Sequence, residues 1–140
     1  MSLSPFFSDQ QIATLRAAFN RLIPTDEFLN AWDNGAGDYL ARQLEGDLAS
    51  SLELYRAGLD SLNQEAQARY AQDFVTLNEA AQDELLACIE RGEVQSEWAI
   101  NPRQFFEAML NHSAEGYYAD PGNGGNREKT SWQMIGFLDR

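Results

Sequence analysis

The sequence predicts an all-α fold: a single compact domain, residues 1–140, of five or six helices with an ordered Gly-rich C-terminal loop. Three observations carry this reading. Apolar residues recur at intervals of three and four along most of the chain, the spacing that lines one face of a helix. No segment sustains the period-two alternation of a half-buried strand, and Val and Ile are few beside Ala, Leu, Gln and Glu. Helix start and stop signals fall between the apolar stripes.

The first helix is the best marked. Ser8 stands as N-cap with Gln11 three residues on, a capping box, and Phe7 and Ile12 take the two positions of a hydrophobic staple. Ile12, Leu15, Phe19, Leu22 and Ile23 continue the apolar face until Pro24 ends it. In the stretch that follows, Gly35 and Gly37 predict a loop or a frayed front half, while Tyr39, Leu40 and Leu44 predict a second helix up to about Gly46. From Asp47 onward, Leu48, Leu52, Tyr55, Leu59 and Leu62 form one stripe, and a helix over 64–74 carries Ala66, Tyr70 and Phe74 inward. Thr76 with Glu79 repeats the capping-box pattern ahead of Leu85, Leu86 and Ile89, and Gly92 stops that helix. Asn101, Pro102 and Gln104 then supply an N-cap, a first-turn proline and a Gln at N3. Phe105, Phe106, Met109 and Leu110 follow, and Gly116 is expected to close the helix.

Charge narrows the function classes. The formal net charge is −12, which opposes nucleic acid and anionic membranes, since both are bound through clustered Lys and Arg. Acidity of this kind is also an ordinary route to solubility. Cys88 is the sole cysteine, so neither an internal disulfide nor a cysteine-rich metal site can form. Its neighbours in ELLACIE place it near an apolar helix face as an inert thiol. His112 is the sole histidine, which excludes a multi-histidine zinc site. No window approaches the ~18–20 apolar residues of a membrane span, so no direct membrane insertion is expected. The start, MSLSPFFSDQQ, has neither a basic n-region nor a long apolar h-region. The expected location is therefore cytoplasmic, or periplasmic where a leader has been removed.

Catalytic constellations are sparse. Asp83/Glu84 and Glu90/Glu93 lie on solvated helix faces, whereas acid–base work needs carboxylates that converge in a cleft. Ser113 adjoins His112, but neighbouring side chains on a helix diverge and cannot pair as nucleophile and base. The stretch GYYADPGNGGNREKTSWQMIGF lacks GxxxxGK[ST] and follows a helix instead of a strand, so it is no nucleotide loop. Neither catalytic nor metal residues are assigned on these grounds.

That stretch reads as an ordered loop. Asp120-Pro121 favours a turn, and Gly122, Gly124 and Gly125 permit positive φ or a close backbone approach. Asn126 can bond backbone groups, and Trp132, Ile135 and Phe137 can anchor the turn on the core. Three readings stay open: a structural loop, a partner-docking surface, or a site for a divalent cation or small ligand using His112, Asp120 and Asn126. The last would make the chain a stand-alone binding protein.

The order FF…ML…EG-x-x-x-DP-x-x-GGN…W-x-x-IGF resembles the C-terminal signature of the gluconate 2-dehydrogenase subunit 3 family. Phe6-Phe7-Ser8 through Ile23-Pro24-Thr25-Asp26 fits the same family, as do Tyr55-Arg56-Ala57-Gly58-Leu59, Leu77, Gln82 and Leu85-Leu86. The resemblance covers nearly the whole chain in order. It implies a non-catalytic small subunit with no cofactor of its own. The partner it implies is a large FAD-dependent oxidoreductase subunit of the glucose–methanol–choline class, with electrons passing to a cytochrome c subunit. In that family the small subunit supports folding, stability or export of the large one, often through a twin-arginine leader, which is not seen here. The motif positions carried over are Asp120, Pro121, Gly124, Gly125, Asn126, Trp132 and Gly136, with loop architecture and partner contact as their implied role. Asn123 stands where an aromatic often precedes GGN.

Overall fold

A computed structural model of the chain describes residues 3–23, 32, 36–46 and 49–119. Over them it forms five α-helices and no strand. Helix α1 spans Asp9–Leu22 and opens with the expected capping box: Ser8 Oγ accepts the Gln11 N–H at 3.1 Å, and Gln11 Oε1 accepts the Ser8 N–H at 2.9 Å. Phe7 is buried and Ile12 packs against the core, as the staple requires.

Helix α2 spans Gly37–Leu44. Gly37, expected in a loop or a frayed helix, is the first residue of α2. The Trp32 indole lies against it, and a Cβ there would meet Trp32 Cε2 at 2.7 Å. Packing, not flexibility, explains that glycine. After a 3₁₀ turn at Ala49–Ser51, helix α3 runs over Leu52–Tyr70. Asp47 and Leu48 lie outside the described residues. The expected continuation to Phe74 is corrected: Ala71 adopts a left-handed φ of 58° and ends the helix. Phe74 is still fully buried, but it belongs to a separate 3₁₀ turn, Phe74–Thr76.

Helix α4 spans Glu79–Arg91, and its N-cap is Asn78, whose Oδ1 accepts the Ala81 N–H at 2.8 Å. The Thr76–Glu79 capping box does not form, because the Thr76 hydroxyl turns back to the Asp73 carbonyl at 2.8 Å. Gly92 ends α4 at φ 75°, its N–H bonding Ile89 O while the Glu93 N–H bonds Cys88 O, a Schellman pattern. Helix α5 spans Pro102–Ala119, and Asn101 Oδ1 accepts from the Arg103 and Gln104 N–H groups at 2.8 and 3.3 Å. Gly116 does not close α5, which runs on through it. A Cβ at Gly116 would meet Ala36 Cα at 2.8 Å and Tyr39 Cβ at 2.9 Å, so this glycine lets α5 cross close to the start of α2.

The pattern of α5 explains its place. Phe105, Met109 and Ser113 form one buried stripe, and Phe106, Leu110 and Ala114 a second beside it. A helix that is apolar over so wide an arc must be covered on several sides. Accordingly α5 packs against each of the other four helices, while α1 closes on α3, α4 and the 3₁₀ turn Phe74–Thr76. One continuous core results, with Tyr55, Phe19, Phe74 and Phe105 its largest fully buried side chains. At the rim, Arg21 forks onto Asp83 with bonds of 2.8 and 2.7 Å and tethers α1 to α4. No helix among the described residues is long and apolar enough to cross a membrane.

Candidate functional site

Asp120, Pro121, Gly124, Gly125, Asn126, Trp132 and Gly136 lie outside the described residues. What can be built from side chains upward is the frame from which they extend, the polar network at the C-terminal end of α5. Several of the residues that carry the family resemblance belong to that frame.

Tyr55 is fully buried on α3 with its hydroxyl 2.8 Å from His112 Nδ1 and 3.3 Å from the Ala108 carbonyl, both on α5. The two contacts coexist when Nδ1–H donates to the phenol oxygen and the phenol donates to the carbonyl. In the other tautomer the phenol donates to Nδ1. The rings also stack, with centroids 5.7 Å apart and planes at 28°. Burial raises the Tyr55 phenol well above its ordinary value, with a further push from Glu115. Burial lowers the His112 imidazole, against an opposing pull from Glu115. Near neutral pH the pair is therefore uncharged. Glu115 in turn accepts a bond from the Tyr39 hydroxyl at 3.2 Å, which brings α2 into the same network.

The neighbouring motif residues also act by packing and capping. Gly58 lies under the Phe105 ring, and Arg56 Nε donates to the Phe6 carbonyl at 2.8 Å. Gln82, buried, donates through Nε2 to the Phe74 carbonyl at 3.0 Å. Leu59, Leu77, Leu85 and Leu86 are buried in the core.

The reactive groups do not converge. Ser113 Oγ donates to the Leu110 carbonyl at 3.1 Å, while His112 faces Tyr55, so the two diverge as their spacing requires. Asp83 is held by Arg21, and Glu84 accepts a bond from Tyr70, whose phenol is pushed up to about 12 by burial and by that bond. Cys88 is free and buried. No group of three or more His, Cys, Asp or Glu among the described residues could hold a metal ion. Of the three residues of the ligand-site reading only His112 is described, because Asp120 and Asn126 lie outside the described residues.

One charged residue escaped the reading of the sequence. Glu65 on α3 is completely buried and accepts five hydrogen bonds of 2.5 to 3.0 Å. They come from Arg69 Nε, the Gln95 and Ser96 N–H groups, Ser96 Oγ and Trp98 Nε1. Burial alone would raise this carboxyl, but the donors outweigh it and hold the group at about 2. Arg69 adds a bond to the Glu93 carbonyl at 2.6 Å. Together they clamp the connection between α4 and α5 and so fix where α5 begins. No local signal marks Glu65 in the sequence, because most of its donors lie about thirty residues downstream.

Searches of curated proteins and of solved structures return no match. A family model described as gluconate 2-dehydrogenase subunit 3 matches residues 9–139. That span takes in the five helices of the described residues and the glycine-rich motif, but not Phe6-Phe7-Ser8 of the resemblance. The chain belongs to the gluconate 2-dehydrogenase subunit 3 family.

Proposed function

We propose that this chain is a non-catalytic accessory subunit that stabilises a large flavin-dependent dehydrogenase subunit of the glucose–methanol–choline class, and assists its maturation or export. The reading is chaperone-like: the large subunit carries FAD and acts on a sugar, polyol or sugar acid, and a cytochrome c subunit takes the electrons. One observation carries it, the family match over residues 9–139 to a dehydrogenase subunit. A second supports it: Tyr55, Arg56, Gly58 and Gln82, all among the residues of the resemblance, join the elements of the fold by packing and hydrogen bonds.

On this reading Asp120, Pro121, Gly124, Gly125, Asn126, Trp132 and Gly136 shape the loop that meets the partner. The test is co-purification of tagged large subunit with this chain, wild type against Asp120→Ala and Asn126→Ala. The expected result is loss of the large subunit from both variants while their helical circular dichroism is unchanged. Variants that bind as well as wild type would remove the motif loop from the interface.

A further inference from the structure

Two aromatic side chains of this fold each combine an oxidisable ring with a hydrogen-bonded base. Tyr55, fully buried, has its phenol 2.8 Å from His112 Nδ1, nearer than the Ala108 carbonyl at 3.3 Å. Trp98, half-buried on the connection between α4 and α5, donates its indole N–H to the Glu65 carboxylate at 3.0 Å. Phe105 joins the two: its ring centroid is 6.2 Å from that of Trp98 and 5.9 Å from that of Tyr55. Rings in contact therefore run from a half-exposed indole to the centre of the core.

We infer that Trp98, Phe105 and Tyr55 form a one-electron oxidation path that ends in a Tyr55 radical, with His112 as the proton acceptor. A one-electron oxidant at the surface, a metal(III) complex or an oxygen-derived radical, takes an electron from Trp98. The Trp98 cation takes one in turn from Tyr55 across the Phe105 ring, and the phenol proton moves to His112 Nδ1. The net products are the reduced oxidant, a neutral tyrosyl radical and an imidazolium. A thiol or ascorbate-class reductant returns the electron, and the proton goes back to the phenol oxygen. Each base removes a cost. A phenol cation would be an unpaired charge in the core, whereas proton transfer lies within hydrogen-bond reach. The charge then rests on the half-buried His112 ring, where the Glu115 carboxylate favours it. His112 is neutral near pH 7, and the tautomer protonated at Nε2 leaves Nδ1 bare to accept. Glu65, ionised above about pH 2, offsets the transient charge on Trp98. None of this depends on the accessory-subunit reading, since every residue belongs to this chain.

Flash photolysis of the full chain with tris(bipyridine)ruthenium(II) and persulfate tests it. The ruthenium(III) formed is a cation, and a chain of net charge −12 attracts it. His112 is the sole histidine, so isotope-labelled histidine marks one site. Electron paramagnetic resonance should show a tyrosyl signal coupled to that histidine's nitrogen. Tyr55→Phe should remove the coupled signal, and Trp98→Phe should lower its yield at least tenfold. His112→Gln keeps an acceptor but no base, and should leave only the tyrosyl signal that Tyr55→Phe also shows. A wild-type tyrosyl signal without histidine coupling overturns the inference, and that result requires no variant to fold. So does a full tyrosyl yield in His112→Gln, or a coupled signal undiminished in Trp98→Phe.

Discussion

The ring of Phe105 lies over Gly58 so closely that a Cβ on Gly58 would meet Cδ1 at 2.2 Å and Cε1 at 2.4 Å. The contact joins α3 to α5 at the centre of the core, between two residues that both belong to the family pattern. Tyr55 backs the same ring edge-on, with centroids 5.9 Å apart.

Gly58→Ala accordingly sets two effects against each other. Helix propensity favours alanine by about 1 kcal/mol. Against this, a methyl group inside the van der Waals radius of a fully buried ring forces α3 and α5 apart, which costs about 1–3 kcal/mol beyond that gain. Chemical denaturation should show a net loss of stability. A gain would mean that the ring moves aside freely, and that the two helices do not lock where described.

Glu65 gives the domain an acid-labile clamp. Its carboxyl is held at about 2 in the fold against an ordinary 4.5, so its contribution is complete above pH 4.5 and disappears as pH falls towards 2. The shift corresponds to about 3 kcal/mol. Glu65→Gln should cost about 2–4 kcal/mol at neutral pH, because an amide nitrogen would face donors. It should also flatten the stability profile between pH 4.5 and 2. Urea titrations across that range decide the matter, and an unchanged acid limb in Glu65→Gln would place the lability elsewhere.

His112 is the chain's one histidine, so its ring-proton resonances are unambiguous. An NMR pH titration should give a midpoint below 6.5, because burial disfavours the imidazolium more than Glu115 favours it. The associated stability is present above pH 6.5 and is lost as pH falls through the lowered midpoint. In Tyr55→Phe the 2.8 Å bond is gone, and the cost should be about 1 kcal/mol for a half-buried ring nitrogen left without its partner. A midpoint above 6.5 in the wild type would mean that the ring is more open to water than described.

What the sequence made legible was local. Ser8 with Gln11, Asn101 with Pro102, and Gly92 each announce a helix end through atoms within a few residues, and each end lies where expected. The failures share a different cause. Ala71 takes a left-handed conformation that alanine does not advertise, so α3 was expected to continue to Phe74. Thr76 and Asn78 both fit a capping rule, and tertiary bonding of the 3₁₀ turn decided for Asn78. Gly37 and Gly116 resemble loop and stop signals, but Trp32 and Ala36 approach them so closely that only glycine fits. Glu65 reads as one more solvated acid until the α4–α5 connection folds over it. The candidate motif itself was legible as a family mark, with its seven positions outside the described residues.

On the proposed function, another polypeptide depends on this one. Its most direct measurement is the yield, FAD content and turnover of the large flavoprotein subunit, produced with and without this chain. The expected result is a stable one-to-one complex loaded with FAD when both are present, and insoluble or inactive flavoprotein when this chain is missing. A large subunit that folds, binds FAD and turns over equally well alone would contradict it.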